Sequence, residues 1–150
     1  MIDNKKVFYC PCSSCMSSLF DLRKISENNI IFYLHKLFTP VEFYNDISSK
    51  YSTFDNYNHS FFDVVRFLST ANIVVTKSYH GMYWATLLGK KVVFIDIHDK
   101  GKGMKWLPIF ADYTDWEDKI LYAKSYENAL NEARQLNISF YEKVIKLVGD

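Results

Sequence analysis

Two short, wholly apolar runs constrain this chain most: Ile73-Val74-Val75, closed by Thr76, and Val92-Val93-Phe94-Ile95. Neither alternates apolar with polar residues, as a strand with one wet face would. Runs of this kind are buried on both faces, the pattern of a parallel sheet covered by helices. The segment between them agrees with that reading. Ser78-Tyr79-His80-Gly81 reads as a turn, Met82–Leu88 as a short helix, and Gly89 as the left-handed residue that ends it. Parallel neighbours need such a crossover, because a tight hairpin joins only antiparallel strands.

The rest of the chain extends the alternation. Val7–Cys10 reads as a short strand and Ile30–Leu34 as another doubly buried one. Ser60 is a good helix N-cap, with Asp63 at the third helical position. Phe61, Val64, Val65 and Leu68 follow at helical spacing, and Asn72 closes that helix. From Ser125 the chain turns helical, with Ala129, Leu130 and Ala133 on one face. A second amphipathic stretch runs through Phe140, Val144, Ile145 and Val148. Asp99–Lys105 reads as a loop, and Pro40–Asn58 shows weak helical periodicity followed by polar turn residues. No repeat, low-complexity tract or Pro/Gly linker marks a second domain. A chain of 150 residues, 49% hydrophobic, is enough for one packed core. The expected architecture is a single α/β domain over residues 1–150: Rossmann-like, mostly parallel sheet, helices on both faces.

Charge and cysteine usage narrow the partners. Eighteen basic against 17 acidic residues leave a net charge of +1, without the basic excess of a duplex nucleic-acid binder. No apolar run reaches the ~20 residues that span a bilayer, and the N-terminus lacks a signal-peptide pattern, so a cytoplasmic location is expected. All three cysteines, Cys10, Cys12 and Cys15, form one cluster. Cys12-Ser13-Ser14-Cys15 has redox spacing at an expected strand-to-helix junction, where a helix N-terminus lowers a thiol pKa. A metal site would need a fourth ligand brought by the fold from His35, His80 or His98. The plainest reading is that these small residues pack a tight turn. Ligands of open α/β sheets bind at the carboxyl ends of the strands. Just past the expected strands lie Cys10–Cys15, His35-Lys36, Ser78–Gly81 and Asp96–His98.

The Ser78–Gly81 turn is the strongest candidate site. It places unpaired backbone N–H groups at a helix N-terminus, where partial positive charge favours a phosphate or carboxylate. Gly81 would let a ligand approach the backbone, and His80 is suited to a phosphate hydrogen bond or to acid/base work. Thr76 and Ser78 are hydroxyl donors, and Lys77 is positioned to neutralise charge if it points inward. Tyr79, Tyr83 and Trp84 offer flat faces for a sugar or base, or else fill core. Lys100 and Lys102, in the glycine-bearing loop, form a second anion candidate, with Asp96 as a hydroxyl acceptor.

Residues 60–97 resemble the C-terminal half of GT-B glycosyltransferases and, more closely, the polysaccharide pyruvyltransferase family. The matching positions are Ala71, Val74, Val75, Thr76, His80, Gly81, Ala85, Leu88, Gly89 and Val92-Val93. The resemblance implies a donor-binding half-enzyme in surface polysaccharide synthesis, with His80 and the turn holding the donor's phosphates and no metal or other cofactor required. The carbohydrate acceptor would bind a facing domain, supplied by a second copy, by another subunit or by a part of the protein outside this chain. Pyruvyltransferases carry an Arg two residues before this His, where this chain has Ser78. Phosphoenolpyruvate suits a bidentate Arg clamp, so the departure favours glycosyl transfer from a nucleotide-sugar over pyruvyl transfer. A non-catalytic nucleotide- or sugar-binding module is the remaining reading, with a thiol or metal protein behind it.

Overall fold

A computed structural model describes residues 9–21, 27–95 and 103–148. The apolar runs form the centre of one parallel sheet: β1 (Asn28–Leu34), β3 (Ala71–Thr76) and β4 (Lys91–Ile95). Two short strands complete it, β2 (Ser52–Asp55) and β5 (Ile109–Ala111), in the order β2-β1-β3-β4-β5. Every pairing is parallel, with Tyr33 opposite Thr76 and Thr76 opposite Phe94.

Because side chains alternate along a strand, each central strand feeds two cores. Ile31, Tyr33, Val74, Val92 and Phe94 meet α2 (Phe61–Ser69), α3 (Tyr79–Leu87) and the start of α5 (Ala129–Val148) on one face. Phe32, Leu34, Val75, Val93 and Ile95 meet α1 (Val41–Lys50) and α4 (Trp116–Lys119) on the other. The expected Rossmann-like domain, with a parallel sheet and helices on both faces, is what the chain forms.

Several local expectations need correction. The strand expected at Val7–Cys10 lies partly outside the described residues, and Tyr9 and Cys10 adopt no strand structure. The illegible Pro40–Asn58 segment holds both α1 and β2. Ser-Thr-Phe-Asp is a poor strand signal because β2 lies at the sheet's edge and buries none of its residues completely. The two C-terminal helical stretches are one helix of 20 residues. Finally, α3 begins at Tyr79, so Tyr79, His80 and Gly81 form its first turn and Ser78 is its N-cap. Gly89, with φ 68°, ends it as expected.

Candidate functional site

The strand order has a reversal point. From β1 the chain moves outward to β2, then crosses back to β3 and continues to β4 and β5. The loops after β1 and β3 therefore diverge and leave a crevice at their carboxyl ends, the usual ligand site of this topology. Two of the sequence candidates stand there: His35 after β1, and Lys77 to Gly81 after β3.

The turn after β3 is built from its own hydroxyls. The Thr76 hydroxyl donates to the Tyr33 carbonyl and accepts from the Ser78 N–H at 3.0 Å. Ser78 Oγ accepts from the Gly81 N–H at 3.2 Å, the side-chain cap that starts α3. The N–H groups of Tyr79 and His80, the first two of the helix, have no helical acceptor and mark its positive end. Thr76 is fully buried, so it shapes the turn and does not reach a ligand, contrary to its expected role as a donor. Gly81 is also buried. A Cβ there would overlap the ring of Tyr33 and lie 2.8 Å from Thr76 Oγ1. Its missing side chain thus admits β1 against α3, where the sequence suggested clearance for a ligand.

His80 and Tyr79 are exposed on this first turn. The His80 ring centroid lies 5.8 Å from that of Tyr79 and 5.3 Å from that of Trp84. Lys77 extends along the sheet edge, its Nζ 4.8 Å from the centroid of Tyr113, a residue sequence reasoning did not single out. Asp96, His98, Lys100 and Lys102 lie outside the described residues.

The cysteine segment comes to the same helix. Tyr83, 2% exposed, donates its hydroxyl to the Cys12 carbonyl at 3.0 Å, and Trp84 Nε1 donates to Ser14 Oγ at 3.0 Å. These two aromatics therefore anchor the loop, and Tyr83 offers no face for stacking. Burial, then the nearby Tyr9 and Cys12, pushes the Tyr79 phenol up, which places Cys12 beside the first turn of α3. On the far side Arg134 donates to the carbonyls of Cys15 and Ser17 and pairs with Asp21 at 2.8 Å. Asn137 Nδ2 donates to Cys15 Sγ at 3.3 Å. Cys12 is exposed and Cys15 buried, and all three thiols are free. Burial raises the Cys15 thiol pKa, with the Tyr83 hydrogen bond opposing it. That is the reverse of the activated thiolate a redox site needs. Among the described residues no group of three or more His, Cys, Asp or Glu side chains is placed to hold a metal.

Fold and edge together define a class: a doubly wound parallel α/β domain with a histidine-bearing helix N-terminus at its reversal point. The profile of the polysaccharide pyruvyl transferase family matches residues 8–99, which run from the cysteine segment through β4, and the chain belongs to that family. Searches of curated proteins and of solved structures found no match. The family is one of polysaccharide-modifying transferases, which points to a carbohydrate acceptor. Among the described residues no helix is long and apolar enough to cross a membrane.

Proposed function

We propose that this domain binds the phosphorylated donor of a polysaccharide pyruvyl transferase, phosphoenolpyruvate, at the carboxyl ends of β1 and β3. The observation that carries the reading is the position of His80: an exposed imidazole on the first turn of a nine-residue capped helix, inside the family-matched span. The donor's phosphate is bound by the free N–H groups of Tyr79 and His80 and by the helix's positive end. One acceptor hydroxyl adds to C2 of the enol phosphate while a proton goes to C3. The C–O bond to phosphate then breaks, with His80 hydrogen-bonding and protonating the departing phosphate. A second acceptor hydroxyl takes its place at C2, and the two hydroxyl protons end on C3 and on phosphate. The acceptor approaches from a facing domain.

A second reading rests on Ser78. It stands where the family carries an arginine, and its hydroxyl is engaged in the α3 cap. Without that clamp, a nucleotide-sugar bound through its diphosphate is the competing donor, in a GT-B-like arrangement. One panel separates the two. Phosphoenolpyruvate is expected to raise the melting temperature of the wild type by several degrees and to leave His80→Ala unmoved. The variant's unliganded melting temperature should match wild type, since the ring is exposed. A shift with nucleotide-sugars alone would transfer the assignment to the second reading. No shift with either would remove the donor site from this chain.

A further inference from the structure

Two buried side-chain polar atoms among the described residues lack a hydrogen-bond partner: His35 Nδ1 and Thr39 Oγ1. Both sit on the loop that leaves β1 at the reversal point, opposite the loop that carries Lys77. In this loop the N–H groups of Phe38 and Thr39 both donate to the His35 carbonyl, at 3.0 and 2.9 Å, and the Lys36 N–H donates to Asn56 Oδ1 at 2.9 Å. Thr39 is 6% exposed, so bulk water does not serve its hydroxyl. Buried polar groups are almost always paired, and an unpaired couple at a ligand edge calls for a missing partner.

The surroundings say what that partner is. The His35 ring packs on Phe38, with centroids 4.4 Å apart. The Phe38 carbonyl accepts from Tyr113 at 3.0 Å, and the Tyr113 ring carries Lys77 Nζ. Lys77 is thus a cation linked to His35 through two contacting residues, while Lys36, next to His35 in the chain, has its Nζ 5.1 Å from the centroid of Tyr57. Nearby, the positive end of α3 faces the same edge. A hydroxyl, an imidazole nitrogen and an ammonium together suit an oxygen that carries negative charge.

We infer that His35 and Thr39, with Lys77 on the facing loop, form a second anion-binding corner that holds the donor's carboxylate, apart from the phosphate held at His80. The inference rests on the donor reading above and adds the residues that grip the donor's other end. Phosphoenolpyruvate has an anionic group at each end, a carboxylate and a phosphate, so one molecule can engage both corners.

The test uses Thr39→Val, which removes the hydroxyl at nearly constant volume, with Thr39→Ser as the variant that keeps it. In the free chain Thr39→Val should melt no lower than wild type, because the hydroxyl has no partner to lose. Its affinity for phosphoenolpyruvate should fall at least tenfold, and Thr39→Ser should stay within about threefold of wild type. In ¹⁵N-histidine-labelled protein, phosphoenolpyruvate should move the His35 ring signals. A matching response to pyruvate alone would assign the carboxylate to this corner, and one to inorganic phosphate alone would overturn the inference. A lower melting temperature for Thr39→Val would show that the hydroxyl bonds within the protein or to a trapped water, and would overturn the inference. If phosphoenolpyruvate moves His80 and leaves His35 still, this corner is wrong and the donor site at His80 stands. If none of the three compounds moves either histidine, both readings fail.

Discussion

A Cβ at position 81 would meet the ring of Tyr33, which is itself 4% exposed and held in the central strand. Gly81→Ala is therefore expected to cost about 2–3 kcal/mol by overpacking, read as a lower urea midpoint at unchanged slope. A cost under about 0.5 kcal/mol would show that α3 shifts freely on the sheet. The sequence marks Gly81 as special, yet not why. Its neighbour in space is Tyr33, far back in the chain, and only the parallel register of β1 against β3 brings the two together. Lys90 shows the same limit. It is 4% exposed and donates to the Ser69 carbonyl at 2.7 Å, closing the C-terminus of α2, though in the sequence it looks like half of an ordinary surface Lys-Lys pair. His80 is the opposite case, since a histidine beside a glycine after an apolar strand is visible in the sequence itself.

Among the helices, the start of α2 is the most legible, because its signals are local, whereas its end comes at Ser69 and the expected closing residue, Asn72, lies in β3. Ser60 Oγ accepts from the Asp63 N–H, and the Asp63 carboxylate accepts from the Ser60 N–H, a reciprocal capping box. Ser60→Ala should lower stability by about 1 kcal/mol in urea unfolding. The hydrogen bonds from Ser60 hold the Asp63 carboxyl below its ordinary value of 3.8. A depressed folded value means the carboxylate stabilises above its unfolded pKa and loses that contribution as pH falls through the folded one. The stability gap between wild type and Asp63→Ala should therefore be full at neutral pH and close as the pH drops below 3.8. A gap that persists into stronger acid would show that the cap does not depend on the charge. The edge strands β2 and β5 gave no such local sign. With three or four residues and incomplete burial, they are strands because the sheet offers them unpaired hydrogen bonds, not because of their own composition.

Across the molecule, the two cores share the same three central strands. Trp84 and Trp106 belong to one face, and Trp116 to the other. Neither layer can be lost without exposing the apolar side of the sheet beneath it, so unfolding should be a single transition. With 5-fluorotryptophan incorporated, all three ¹⁹F signals should lose native intensity at one urea midpoint. An earlier loss of Trp116 alone would mean that the α1/α4 layer opens separately. The doubly buried runs, with a helix between them, were sufficient for the sequence alone to determine a parallel α/β sheet. Burial on both faces and the need for a crossover leave no other arrangement. Local chemistry likewise determined the cap of α2, the glycine end of α3 and the exposed histidine. Tertiary structure alone decided which strands are neighbours, that the cysteine segment is clamped between α3 and α5, and that His35 and Thr39 keep unpaired polar atoms at the crevice. Each of those depends on residues far apart in the chain, whose meeting is set by the order and register of the sheet and leaves no periodic trace in the sequence.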